Sequence, residues 1–116
     1  MVKKEFYIYQ EDLIKYELKE EFLTISKLVE NLNIKYCESD MKKLRTETIT
    51  DFLLMKGYLY LDKDTYKKPT LKGKILGITR GEISDKEGNK YSVNLYNLRA
   101  QKYIIDNIYD ILYMKE

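Results

Sequence analysis

The sequence predicts an α+β domain in which a helical bundle is followed by a β-hairpin and a closing helix. Three observations carry that expectation. Apolar residues recur at helical spacing in segments 24–32 and 39–56. Tyr91, Val93 and Leu95 alternate with Ser92, Asn94 and Tyr96 after a Glu87-Gly88-Asn89 turn. Ala100, Ile104, Ile108 and Ile111 then form a single helical stripe. At 116 residues one domain is expected, with an N-terminal extension (1–23), a helical part (24–62), a basic turn with short helix and hairpin (63–96), and a C-terminal helix (97–116).

Each element has a local reason. Phe6 to Tyr9 suits a short strand, and Leu13, Ile14, Tyr16 and Leu18 suit a short helix after it. Thr24 is a good N-cap for a helix whose Ile25, Leu28, Val29 and Leu32 fall at i, i+3, i+4 and i+7, with Asn33 closing it. Ser39 is expected to cap a second helix running to about Lys56, where Gly57 stops it. In that helix Met41, Leu44, Ile49, Phe52 and Met55 share one side, and Lys42, Lys43, Thr46, Glu47 and Thr50 share the other. Tyr58 to Leu61 reads as a short strand, and Asp62 to Lys68 reads as a charged turn ended by Pro69. Thr70 caps a short helix, Leu71 to Leu76, ended by Gly77. Ile78 to Ser84 and Lys90 to Tyr96 are the hairpin strands, and Gly88 or Asn89 can supply a positive φ at the turn. Asn97 caps a last helix expected to run to Tyr113. This order fits a helix-turn-helix bundle with a β-hairpin wing plus a C-terminal helix, a winged-helix-like arrangement.

Composition narrows the chemistry. Hydrophobic residues make up 44% and charged residues 34%, which suits a folding globular chain. There is no histidine or tryptophan, and Cys37 is the only cysteine, so a His/Cys zinc site, a histidine-based triad and an internal disulfide are not available. Nothing suggests a cofactor, and the expected function is binding rather than catalysis. No apolar run approaches the roughly 20 residues of a membrane span, and Met1 to Tyr9 has no signal-peptide core. The expected location is the cytoplasm of a bacterial host cell. Of 21 basic residues only Arg45, Arg80 and Arg99 are arginine, while tyrosine occurs 12 times and Ala100 and Pro69 are alone of their kinds. That usage points to an AT-rich gene, from a bacterium or its phage.

The run Met41 to Arg45, then Ile49, Phe52-Leu53 and Gly57-Tyr58-Leu59, resembles the last helix and wing entry of a small bacterial winged-helix-like domain. Lys68-Pro69-Thr70-Leu71-Lys72-Gly73, with Gly77-Ile78, is similar to a Pro-Thr-x-x-Gly signature that also occurs in the C-terminal domain of phage antirepressors. Tyr91 to Asn97, Ala100-Gln101 and Ile104 to Asn107 resemble the hairpin and final helix of the same group. The likeness spans roughly residues 24–110. It implies a winged-helix-type fold in phages, prophages or other mobile elements, and no site residue is carried over from it.

The candidate site residues follow from charge and chemistry. Residues 63–80 carry Lys63, Lys67, Lys68, Lys72, Lys74 and Arg80 against Asp64 alone. With Lys42, Lys43, Thr46 and Thr50 on the 39–56 helix, these residues (Lys63 apart) are the expected nucleic-acid contacts, DNA before RNA. Lysines that neutralise phosphates give salt-sensitive, weakly sequence-specific affinity. The scarcity of arginine argues against tight base readout. A solvated lysine-rich face is the competing reading.

Tyr91, Tyr96, Tyr103, Ile104 and Ile108 are the expected protein-interface residues, because tyrosine combines a large apolar body with a polar tip. An exposed Ile104-Ile108-Ile111 stripe would make a homodimer. The competing reading is that most of these side chains are core. Residues 5–21 carry six carboxylates against two lysines, which suits either mimicry of nucleic acid toward a basic partner or a plain solvated face. Together these features support a second function, inhibition of a host nucleoprotein complex by protein contact, as an anti-CRISPR does. Cys37 has no base to activate it, and pairs such as Glu20-Glu21 lack a convergent third metal ligand.

Overall fold

The computed structural model describes residues 2–113. The chain forms six short helices and two antiparallel two-stranded ribbons among those residues, an α+β architecture around one core. Helix α1 is Gln10–Leu13, α2 is Ile25–Tyr36 and α3 is Thr46–Met55. A small ribbon follows, β1 (Leu59–Leu61) against β2 (Lys67–Pro69). Then come α4 (Leu71–Leu76), the long hairpin of β3 (Ile78–Ser84) and β4 (Lys90–Tyr96), α5 (Leu98–Asp106) and α6 (Ile108–Leu112). The hairpin strands and α4 lie where their stop signals put them. Thr70 Oγ1 accepts the N–H of Gly73 at 3.0 Å, and Asn97 Oδ1 accepts that of Ala100 at 3.0 Å. Gly88 turns the hairpin at φ 86°.

Leu28, Leu32, Ile49, Leu53, Ile78, Tyr96, Ile104 and Ile108 are fully buried and pack together. Removing each such side chain from water is worth about 1.5–3 kcal/mol. The segment 6–23 contributes to this core, since Phe6, Ile8 and Leu23 are buried in it. No strand forms at 6–9. The segment is extended, and side chains tie it down. Tyr109 Oη donates to Ile8 O at 2.6 Å, and Gln101 Nε2 donates to Glu21 O and Tyr96 O, both at 2.9 Å. Leu23 and Tyr96 exchange backbone hydrogen bonds of 3.0 and 2.8 Å.

Three expectations are corrected here. Helix α2 passes through Asn33 to Tyr36, because the Asn33 amide does not cap its own helix. It accepts from Leu44 N at 2.8 Å and donates to Leu44 O at 2.9 Å. Residues 39–45 are not helical. Lys4 N donates to Asp40 O at 2.7 Å and Lys42 N donates to Lys4 O at 2.8 Å, so this backbone bonds outward and α3 starts only at Thr46. Met41 and Leu44 are buried all the same, reaching inward from an extended segment. The last helix breaks at Asn107, whose Nδ2 donates to Tyr103 O at 2.8 Å. The bend returns Ile108 and Ile111 to the core, where α6 packs on α3.

Candidate nucleic-acid interface

Four of the nine expected contact residues meet in one cleft. Thr46 and Thr50 of α3, Lys67 of β2 and Arg80 of β3 line an open depression of about 250 Å³. The N-cap Thr24 and first residues Ile25 and Ser26 of α2, with Val93, Asn94 and Tyr96 of β4, complete it. The cleft therefore holds two cationic side chains beside the N-terminal ends of two helices. Helix N-termini carry unsatisfied N–H groups and partial positive charge, which favours an anion there.

Local contacts set this geometry. The Asp62 carboxylate accepts the N–H groups of Asp64 and Tyr66, both at 2.9 Å, and so shapes the turn that leads into β2. Lys67 Nζ then donates to Thr50 Oγ1 at 2.7 Å. Asn94 Oδ1 accepts from Arg80 Nη1 at 2.9 Å, while its Nδ2 donates to Lys67 O at 3.1 Å. No ion pair holds Lys67 or Arg80 among the described residues. Glu47 is the nearby negative charge. Its carboxylate accepts from Thr46 Oγ1 at 2.9 Å, and that bond, with help from Arg45 and Lys67, holds it below the usual carboxylate range. The Tyr96 hydroxyl is buried and has no hydrogen-bond partner among the described residues. Burial pushes this phenol far above its ordinary value, and the Asn94 side-chain amide beside the hydroxyl pulls it the other way.

Within this cleft Thr50 is 5% exposed and braces Lys67, so it cannot touch a base. The other expected contacts lie elsewhere. Lys42 and Lys43 sit on the extended segment before α3 and line a different cleft with Arg45 and Thr48, so the expected groove-facing helical surface does not form. Lys42 is 3.3 Å from the Glu5 carboxylate. Lys68 pairs with Asp62 at 2.9 Å. That contact, ahead of the turn amides, keeps the Asp62 carboxyl below its ordinary range. Lys72 Nζ donates to Lys56 O at the end of α3 at 2.8 Å and lies 4.4 Å from the Tyr58 ring centroid, so it is a structural cation. Lys74 is exposed on α4. The basic run therefore splits into several places.

Of the expected interface residues, only Tyr91 is substantially exposed, at 47%. Tyr96, Ile104 and Ile108 are core, and Ile111 joins them, so no isoleucine stripe is open for a dimer. Tyr103 is half-buried, with its ring centroid 4.9 Å from that of Tyr58. Burial first, and Tyr58 second, push its phenol up to about 12. Cys37 is half-buried with its Sγ 3.7 Å from the carbonyls of Glu38, Met41 and Lys42. Among the described residues no group of three potential ligands could hold a metal ion, and no helix is long and apolar enough to cross a membrane.

Thr24, Ser26, Asn94 and Tyr96 belong to the cleft but were not expected there. Alternation in β4 puts Asn94 and Tyr96 on one face of the strand, and Val93 reaches the cleft as well. No known protein family matches the chain, and no curated protein or solved structure matches it.

Proposed function

We propose that this is a non-enzymatic, winged-helix-like protein of a phage or mobile element that binds nucleic acid in the cytoplasm of a bacterial cell. DNA is favoured over RNA, with weak sequence preference. The carrying observation is that Lys67 and Arg80, neither in an ion pair among the described residues, converge beside the N-termini of α2 and α3. Two antiparallel ribbons that follow α1–α3, with α4 between them, support the winged-helix reading. The short α3 and the outward loss of Lys42 and Lys43 favour backbone contact over base readout. Fluorescence anisotropy with labelled duplex DNA and single-stranded RNA tests this at low and at physiological salt. Binding that weakens steeply with salt supports it. No binding at low salt overturns it.

A second reading is inhibition of a host machine by protein contact. It is favoured by Leu71 and Ile75, one turn apart on α4 and 74% and 65% exposed. Recovery of one host protein at equal stoichiometry, lost on Leu71→Lys, would support this reading over the first.

A further inference from the structure

We infer that the cleft between the N-termini of α2 and α3 is a built seat for a single phosphate group, with Arg80 and Lys67 as its cations and the Tyr96 hydroxyl as a donor from its floor. The inference rests on the nucleic-acid reading for the source of the phosphate, and on the cleft alone for its chemistry.

Three observations converge. Neither cation is in an ion pair among the described residues. Arg80 is fixed by the neutral Asn94 amide and Lys67 by the neutral Thr50 hydroxyl, so their positive charge stays available to an incoming anion. A guanidinium with free donors suits phosphate oxygens, and an ammonium adds a point charge.

The two helix ends are also under-satisfied. At α2 the Thr24 side chain accepts only the N–H of Lys27, and at α3 the Arg45 side chain makes no cap at all. The early amides of Ile25, Ser26, Thr46 and Glu47 are thus open donors, as at anion-binding helix termini.

Tyr96 supplies the third observation: its buried hydroxyl lies beside Asn94, the residue that fixes Arg80. A phenol buried to 0% exposure without a partner is costly, and such groups are rare in native proteins. A phosphate oxygen in this cleft would accept its proton. Glu47 is the opposing charge, and it is engaged by Thr46 at the rim.

The phosphate can come from an internal phosphodiester, a terminal monophosphate or a free phosphate. Amide chemical shifts of the full chain distinguish these sources. The protein is titrated with inorganic phosphate against sodium chloride at matched ionic strength, then with an oligonucleotide carrying or lacking a 5′-phosphate. Oligonucleotide affinity is measured separately by anisotropy. Phosphate is expected to shift Ile25, Ser26, Thr46 and Glu47 saturably. Arg80→Gln should weaken phosphate binding roughly tenfold or more, and Tyr96→Phe should weaken it less. Lys86→Gln, at the exposed hairpin tip, should leave it unchanged.

If the oligonucleotide binds with the cleft amides shifting, the seat is supported. A larger effect with the 5′-phosphate then assigns a terminal group, and equal effects assign an internal phosphodiester. If the oligonucleotide binds while these amides stay still, the seat is overturned and the nucleic-acid reading survives. If only inorganic phosphate shifts them, the seat stands and the nucleic-acid source falls. If neither ligand acts, both fall.

Discussion

Replacing Tyr96 by phenylalanine removes one oxygen and leaves the ring in place. In most proteins such a change costs stability, because the buried hydroxyl was bonded. Here the hydroxyl has no partner among the described residues. Its neighbour Asn94 is already committed at both ends, to Arg80 at 2.9 Å and to the Lys67 carbonyl at 3.1 Å. An unsatisfied buried hydroxyl costs about 1–3 kcal/mol. Tyr96→Phe should therefore stabilise the ligand-free protein by up to that amount, a rise in Tm of roughly 3–5 °C per kcal/mol for a chain of this size. Circular dichroism melts in phosphate-free buffer, with a urea titration of unchanged slope, measure it. A second signature lies at high pH. The native phenol is held neutral by burial, while in the unfolded chain it ionises near 10.0. Wild-type stability is thus full below pH 10 and declines above it as the unfolded state gains the charge, and Tyr96→Phe should flatten that decline. A Tm that falls by several degrees would refute the reasoning, since it would mean the hydroxyl is bonded in the free protein.

Other substitutions probe the frame that positions the cleft. Asn33→Ala strips both backbone bonds from Leu44 and should cost about 2–4 kcal/mol, read from denaturant midpoints. Gly77→Ala places a methyl group against the Asn97 side chain at φ 125°, and should cost at least about 3 kcal/mol with loss of the α5 cap. Asp62→Asn tests acid stability. The carboxyl is held below its ordinary range, chiefly by Lys68, so its contribution is present at neutral pH and disappears as pH falls through the native titration. The variant should be less stable than wild type at neutral pH and equal to it in acid. Lys72→Met should lower stability while leaving anisotropy-measured DNA affinity unchanged, because that cation is spent on the end of α3 and the Tyr58 ring.

Much of the fold is legible where a residue acts on its own neighbourhood. Thr24, Thr70 and Asn97 cap the helices they precede, and Gly77 and Gly88 take positive φ where a stop and a turn are needed. What sequence periodicity misses is action at a distance. Asn33 looks like a helix stop, yet its amide serves Leu44 across the fold. Met41 and Leu44 keep helical spacing while lying on an extended segment, because a three-residue separation also lets both reach inward from an irregular chain. Asn107 looks like any polar residue on a long stripe, yet the helix breaks there, with the Asn107 side chain bonded back to Tyr103 O.

The candidate site is legible in part. Lys67 and Arg80 stand out by charge, and the rest of the basic run does not stay with them. Lys68 finds Asp62, and Lys72 finds a helix end. Which lysines are spent depends on long-range partners such as Lys56 O, sixteen residues away from Lys72. Alternation along β4 exposes Asn94 and Tyr96 as a same-face pair, but which face turns inward is set by the helices packed on it.

The salt dependence of DNA binding tests the central claim most directly, measured for wild type beside Lys67→Gln and Arg80→Gln. Wild type should bind at low salt and lose affinity as salt rises, with log affinity linear in log salt concentration. Each variant should bind more weakly across all sequences and lower the slope by about one. Affinity that is salt-insensitive, or slopes that neither substitution changes, would contradict the account and move the function away from this cleft.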